Sequence, residues 1–436
     1  MKVNFQALGC RLNEAELEGW SNQFVEKGFQ LTQDSNDADL VIFNSCAVTA
    51  EADRKSRKLI NRIHKSNPNS RLVVTGCYAS LQSEVVERQL GVDLVVSNQQ
   101  KDELFNLVQQ KFNFPEYIDQ ALENSSIFAR GRHRAFIKIQ DGCRYRCTFC
   151  IVTLARGDEK SRSQQDIIDE INRHHQHGVQ EIVITGVHVG GYGSDTGTNL
   201  YELLSEILDS TCIPRIRLAS VEPWDLADNF FELFNDSRLM PHMHLPLQSG
   251  SDSVLRRMAR RCKTAEFERL VDKARSAVPF FNITTDLIVG FPGETEQEWS
   301  QTMRFVEKSD FGHMHIFSYS MRDGTKAAGL SNQIPDAIKK QRSQQMHALA
   351  ATLKEKALQD LIGQQCEVLW ENSLNQSATE WVGYTPHYHK LLMTSPSIQS
   401  SQISTALISG YNSQSMRLIG SDQQQPILKP IEVAFS

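Results

Sequence analysis

The chain of 436 residues has no apolar run of membrane length and no N-terminal stretch that resembles a signal peptide. We therefore expect a cytoplasmic protein without a membrane partner, and no disulfides among its nine cysteines. It also has no excess of basic residues, because 46 Lys and Arg stand against 52 Asp and Glu, a formal net charge of −6. That balance argues against nonspecific binding of nucleic acid by the whole surface.

The densest group of cysteines is Cys143, Cys147 and Cys150, in the stretch DGCRYRCTFCIVTLARG after the strand-like segment 135–140. Three thiolates on one short loop can hold three irons of a 4Fe-4S cluster and leave the fourth iron open for a substrate or cofactor. A structural zinc loop or a chance group of cysteines is the alternative. Zinc sites usually need four ligands, and no further Cys or His follows nearby. The spacing therefore favours an iron-sulfur cluster.

This CxxxCxxC spacing, with Phe149 just before the last cysteine, resembles the radical S-adenosylmethionine (SAM) superfamily. The resemblance implies that the open iron chelates the amino and carboxylate groups of SAM. One electron from the cluster then yields a 5'-deoxyadenosyl radical, and the protein supplies position and a dry pocket.

The N-terminal region alternates strand-like and helix-like segments, which is typical of a parallel, doubly wound sheet. Cys10, Cys46 and Cys77 each fall at the end of one of its first three predicted strands. Ligands of such sheets bind at the carboxyl ends of the strands, so we expect these three cysteines to meet there and hold a second cluster. The alternative for each is a buried cysteine that acts as a small hydrophobe. The remaining cysteines show no such pattern and are expected to be unliganded thiols: Cys212, Cys262 and Cys366.

The combination of an N-terminal GCRLN, NSCAV and GCY region with this loop resembles the methylthiotransferase family over nearly the whole chain. Further matches are TGVHVGGYG (185–193), LASVEPWD (218–225), HLPLQSGSDSVLRRM (244–258), TTDLIVGFPGETE (284–296) and FSYSMRDGTKA (317–327). Segments 44–58 and 383–388 are most similar to the branch that methylthiolates threonylcarbamoyladenosine in tRNA. The chain departs from the family pattern at Thr153, where relatives usually carry proline, and near Leu154, where they carry an aromatic residue.

The resemblance implies two 4Fe-4S clusters and two roles for SAM. One SAM donates a methyl group to sulfur at the N-terminal cluster, and a second gives the radical that takes hydrogen from carbon 2 of the adenine. The partners it implies are tRNA and an electron donor such as flavodoxin or ferredoxin; the sulfur source stays open.

The expected fold class is α/β, in three domains: an N-terminal cluster domain (1–112), a radical SAM core (129–360) and a small all-β module (363–425). Six strand-and-helix repeats in the core are too few for an eight-stranded barrel, so we expect a partial (β/α)6 barrel with its active site at the carboxyl ends of the strands. Segment 113–134 is a predicted linker. The last domain resembles the TRAM domain that family members use to hold RNA, with a plain stabilising barrel as the alternative.

The SAM pocket is expected to involve Phe149, Gly186, Val187, Glu222 and Asp286. The basic run 54–65 contains the residues predicted to contact RNA phosphates, Arg54, Lys55, Arg57 and Lys58, although a solvated helix face is an equally good interpretation of such a run. A second basic run, 256–263, is open to both interpretations too.

His188, His242 and His244 are predicted near the pocket, and none is assigned as a general base. Two rival functions stay in view: a sister methylthiotransferase that acts on isopentenyladenosine or a ribosomal-protein aspartate, and a noncatalytic iron-sulfur protein that binds RNA.

Overall fold

The computed structural model of the protein describes residues 1–114 and 133–421. Most of the predicted linker 113–134 lies outside the described residues, as do the first residues of the predicted core and the last ones of the predicted β module. None of the helices in the described ranges is long and apolar enough to cross a bilayer.

The N-terminal region is a five-stranded parallel sheet in the order β2-β1-β3-β4-β5. Helices cover both faces, which explains why all six residues of β3 are buried. The predicted doubly wound sheet is therefore confirmed. Its strands are β1 (Lys2–Ala7), β2 (Gln30–Leu31), β3 (Leu40–Ser45), β4 (Arg71–Gly76) and β5 (Leu94–Val96), and its helices are α1 (Arg11–Glu26), α2 (Ala50–Ser66), α3 (Cys77–Leu81), α4 (Ser83–Glu87) and α5 (Leu104–Phe112).

The central region forms a six-stranded parallel barrel from two three-stranded sheets, β6-β9-β10 and β11-β12-β13. Parallel bridges from Ile216 to Leu239 and from Ser220 to His244 join the two sheets. No pairing closes β13 onto β6 in the described chain, so the barrel is partial, as the repeat count predicts. Its strands are β6 (Arg134–Lys138), β7 (Gln140–Asp141), β8 (Lys160–Ser161), β9 (Glu181–Thr185), β10 (Arg215–Leu218), β11 (His242–His244), β12 (Asn282–Val289) and β13 (His313–Ser318), where β7 and β8 form a separate antiparallel pair.

Five helices pack on the outside of the barrel and bury one apolar core with it: α7 (Gln164–Gln176), α8 (Leu200–Ser210), α10 (Thr264–Ala277), α11 (Glu296–Ser309) and α12 (Asp336–Gln359). Two short helices, α6 (Val152–Arg156) and α9 (Asp252–Arg257), contribute to other apolar clusters. The predicted exit helix over 336–361 is thus present, two residues shorter at its end.

The C-terminal region is a small closed barrel in the order β14-β15-β16-β18-β17 around a core that includes Trp370, Leu391 and Leu418. This confirms the predicted all-β module. Its strands are β14 (Gln365–Ser373), β15 (Glu380–Tyr384), β16 (Lys390–Thr394), β17 (Ile403–Asn412) and β18 (Arg417–Ser421).

This module covers the amino-terminal end of the large barrel, which we call the barrel floor. Arg215 at the start of β10 donates to Glu367 O (2.7 Å), and Asn282 at the start of β12 donates to His387 O (2.7 Å). Tyr388 lies between the two units, with its ring 4.8 Å from that of His242. The opposite, carboxyl-terminal end of the barrel carries the cysteine loop.

Candidate active site

Cys10, Cys46 and Cys77, the N-terminal triad, lie together at the carboxyl ends of β1, β3 and β4. The strand order reverses between β1 and β3, where doubly wound sheets bind ligands. Gly9, at φ +111°, allows a close approach, because a Cβ there would lie 2.7 Å from Cys46 Sγ. Burial, reinforced by Cys10 and Cys77, raises the pKa of Cys46 to about 11. The three thiols are thus close enough to affect one another.

Cys143, Cys147 and Cys150, the loop triad, lie between β7 and α6 at the carboxyl end of the large barrel. Burial raises the pKa of Cys143 to about 12 and that of Cys150 to about 11, and neighbouring thiols of the same triad add to both effects. The loop is fixed by its backbone, since Cys150 N donates to Cys147 O (3.0 Å). Arg260 Nη1 lies 3.9 Å from Cys147 Sγ.

The predicted SAM residues surround this loop at the ends of successive strands. Gln140 Oε1 accepts hydrogen bonds from Val187 N (3.0 Å) and His188 N (2.9 Å), and a Cβ at Gly186 would lie 2.8 Å from the same oxygen. Glu222 follows β10 and is largely buried; burial raises its pKa, and its Oε2 accepts no hydrogen bond. The same oxygen lies 3.6 Å from His188 Nε2, and its free hydrogen-bonding capacity fits a cationic ligand group.

Phe149 and Asp286 occupy different surroundings. Phe149 packs against a small apolar cluster that includes Met258 and Phe291. Asp286 is on the inward face of β12, where its Oδ1 lies 3.2 Å from His244 Nε2 and its carboxylate is close to His315. Part of the hydrogen-bonding capacity of Asp286 is therefore used within the barrel.

The His188 imidazole lies between the carboxylates of Asp225 and Glu159. Its Nε2 lies 2.7 Å from Asp225 Oδ2, and its Nδ1 contacts Glu159. Burial lowers the pKa of His188, but the hydrogen bonds with Asp225 and Glu159 outweigh it and raise the pKa to about 9. These contacts favour the protonated imidazole and hold the ring between the two carboxylates.

Helix α2 carries the predicted RNA-contacting residues on its exposed face: Arg54, Lys55, Arg57 and Lys58. Thr49 caps the helix, accepting from Ala52 N (3.2 Å). The buried pair of Asp53 and Arg322 (2.8 Å) ties this helix to the loop after β13. The helix therefore begins beside the mouth of the barrel.

Exposed apolar side chains lie around that mouth, each 46–53% exposed: Val48 and Met321 on loops, Leu154 on α6 and Phe317 on β13. Val48 follows Cys46 by two residues, and Leu154 follows Cys150 by four. An apolar, solvent-exposed rim beside a basic helix suits a nucleobase flanked by phosphates.

A buried ionic network that sequence patterns did not reveal lies between the two triads. Arg156, at the end of α6, contacts Glu16 of α1 (2.8 Å) and Asp141 (3.0 Å), and its Nε donates to Cys77 Sγ (3.4 Å). Lys101 and Lys138 complete the network. The proximity of Arg156 and Asp141 to the loop triad in sequence was the only available signal.

Two family models match the chain. Residues 137–306 match the model described as Radical SAM superfamily, and residues 2–97 match the one described as Uncharacterized protein family UPF0004. A solved structure of the radical SAM methyltransferase TsrM from Kitasatospora setae shares the fold, with a TM-score of 0.57, 14% identity and coverage of 75% of this chain and 77% of that one. The partial barrel and its three-cysteine loop are those of a radical SAM enzyme.

Similar curated proteins indicate which group of radical SAM enzymes this chain belongs to. The threonylcarbamoyladenosine tRNA methylthiotransferases MtaB of Bacillus subtilis and Thermotoga maritima are each 35% identical to this chain, covering 89% of it and 90% of each relative. A tRNA-2-methylthio-N(6)-dimethylallyladenosine synthase of Staphylococcus saprophyticus is 31% identical over 86% of this chain and 77% of its own. The chain belongs to the radical SAM methylthiotransferase family. Its cofactors are SAM and two 4Fe-4S clusters.

Proposed function

We propose that this protein transfers a methylthio group to carbon 2 of threonylcarbamoyladenosine next to the anticodon of tRNA, with SAM as both methyl donor and radical source. The observation that carries the proposal is the presence of two three-cysteine sites at the facing carboxyl ends of two parallel sheets, with one buried ionic network between them. One site can serve radical formation while the other carries sulfur.

The loop triad is proposed to hold the SAM-binding cluster, and the N-terminal triad the sulfur-carrying cluster. When bound, the clusters supply an electron for SAM cleavage and an attachment point for sulfur. The donor sets fit, because each offers three converging thiols and leaves one iron without a protein ligand. The corresponding domains are proposed to span 1–112, 129–360 and 363–425.

The side chains around the loop triad are proposed to bind SAM. The buried, unsatisfied Glu222 fits the methionine amine, and Gly186 and Val187 let the backbone approach closely. Phe149 closes one side of the pocket. Asp286 has an oxygen facing the barrel interior that can reach a ribose hydroxyl.

The tRNA is proposed to lie across the barrel mouth, with phosphates on the exposed face of α2 and the target base on the apolar rim. The small C-terminal barrel lies at the opposite end of the core, which favours a docking or stabilising role over direct contact with the target base. A flavodoxin-like or ferredoxin-like protein is the proposed electron donor, and a separate source replenishes the sulfur.

The substrate assignment is supported by the order of the relatives. Those named for threonylcarbamoyladenosine are 35–36% identical to this chain, and those named for dimethylallyladenosine are 30–32% identical. A sister activity on isopentenyladenosine or on a ribosomal-protein aspartate is the second candidate.

Mass spectrometry of nucleosides tests the assignment. Reduced, reconstituted protein is incubated with SAM, sulfide and tRNA that is threonylcarbamoylated, isopentenylated or unmodified. We expect methylthiolation of the first alone, and a site that hydrogen-bonds the threonylcarbamoyl group would reject analogues without it by about 10⁴-fold. Product from the isopentenylated tRNA alone would contradict the substrate. Release of no 5'-deoxyadenosine from SAM would favour a noncatalytic protein.

A further inference from the structure

Arg156 belongs to the loop-triad segment, six residues after Cys150, but its guanidinium lies in the N-terminal domain. The side chain is 1% exposed. Helix α6, which it ends, packs against α3, whose first residue is Cys77. One side chain therefore reaches from one cysteine site into the other.

The guanidinium contacts all three loops of the N-terminal triad, directly or through one residue. Its Nε donates to Cys77 Sγ (3.4 Å), and its Nη2 donates to Asn13 Oδ1 (2.8 Å). The same Asn13 oxygen lies 3.6 Å from Cys10 Sγ, and Asn13 Nδ2 donates to Ser45 O (3.4 Å), just before Cys46. Displacement of Arg156 would consequently affect the whole triad.

The guanidinium is also tied to both flanks of the loop triad. Its Nη1 donates to Asp141 Oδ1 (3.0 Å), and Asp141 precedes Cys143 by two residues. The same Nη1 donates to Glu16 Oε1 (2.8 Å) on α1. These bonds hold the start and the end of the cysteine loop against the N-terminal domain.

The buried network around Arg156 has an excess of positive charge. It contains three cations and two carboxylates: Arg156, Lys101 and Lys138 with Glu16 and Asp141. A net cation and an N–H···S bond favour the more negative, reduced state of an iron-sulfur cluster.

We propose that Arg156 is a positioning residue with two effects: it fixes the two cysteine triads relative to each other, and it raises the reduction potential of the N-terminal cluster through its bond to Cys77. This rests on the assignment of the triads under the proposed function. Without Arg156, SAM cleavage continues but is uncoupled from methylthiolation, because the sulfur is displaced from the radical.

The test compares Arg156→Met and Arg156→Lys with Arg173→Met, a matched control at an exposed arginine of α7. Potentials are measured by redox titration without tRNA, in a background where the loop triad is replaced by alanine, so that only the N-terminal cluster contributes. We expect a more negative reduction potential in Arg156→Met and an unchanged one in the control. Arg156→Lys should show a smaller shift, because lysine keeps the positive charge but lacks the several N–H donors of the guanidinium.

Coupling is measured in the full protein as 5'-deoxyadenosine released per methylthiolated nucleoside. Because a ~1 Å misplacement costs roughly 100-fold in rate, methylthiolation by Arg156→Met is expected to fall about 100-fold while SAM cleavage persists. An unchanged potential, or an equal shift in the control, would overturn the proposal. So would loss of iron from Arg156→Lys as well as Arg156→Met. Failure of the proposed function appears separately, as absence of methylthiolation by the unaltered protein.

Discussion

Glu181, the first residue of β9, is a fully buried carboxylate at the barrel floor. Its oxygens lie 3.2 and 3.1 Å from Arg217, 3.4 Å from Arg134 and 3.9 Å from Arg215. Burial alone would raise its pKa, but Arg217 and Arg134 outweigh it and lower the pKa to about 2. Relative to an ordinary value near 4.5, this corresponds to about 3 kcal/mol of stability. The cost of breaking a buried ion pair, about 3–5 kcal/mol, agrees with that estimate.

Replacing Glu181 by Gln should therefore lower the free energy of unfolding by roughly 3–5 kcal/mol, as measured by urea unfolding of the metal-free chain with tryptophan fluorescence. The exposed pair of Glu84 and Arg88 supplies a control, since Glu84→Gln should leave stability unchanged within error.

The pH dependence has a definite sign for this residue. The folded pKa of Glu181 is lowered, so its contribution is present above pH ~4.5 and is lost as the pH falls towards 2. The stability difference between the unaltered protein and Glu181→Gln should shrink over that range. If Glu181→Gln lowers the free energy of unfolding by less than about 1 kcal/mol at neutral pH, the reasoning is refuted, because water would then be solvating the arginines.

Three further outcomes follow from the site. Cys147→Ala should abolish 5'-deoxyadenosine formation while the N-terminal domain retains iron, and undiminished SAM cleavage would contradict the loop-triad assignment. Replacing the N-terminal triad by alanine should leave SAM cleavage, remove methylthiolation and lower iron content by roughly half; unchanged iron would mean that those cysteines bind no metal. Joint Lys55→Glu and Arg57→Glu changes should weaken tRNA binding and reduce its salt dependence, measured by filter binding, while Lys340→Glu on the exposed part of α12 should not.

The strands and helices and their arrangement could be predicted from the sequence, because they depend on residue patterns within short segments of the chain. Alternating strands and helices gave the parallel sheet and the partial barrel, and Cys10, Cys46 and Cys77 were expected to meet because parallel strands end at one edge of a sheet. Helix α2 is a further example, since the basic run 54–65 left both a phosphate contact and a solvated face open, and Arg54 and Lys58 are exposed in the structure.

The ionic contacts between domains could not be predicted in this way. Arg156 and Glu16 are 140 residues apart, and both are buried, whereas charged residues are usually exposed. A single sequence contains no signal that pairs them. The same holds for Glu181 and its arginines, which look like ordinary polar positions of strands but form the floor of the barrel.

Segment 383–388, which favoured the threonylcarbamoyladenosine branch, has a structural role that limits how it can affect substrate choice. Tyr384 and Tyr388 stack on each other (4.9 Å) and lie against the Arg134 guanidinium, and Arg217 donates to Pro386 O (3.0 Å). These contacts are at the barrel floor, whereas a target base must reach the triads at the other end. The segment therefore holds the small barrel on the core, at the end opposite to the two triads.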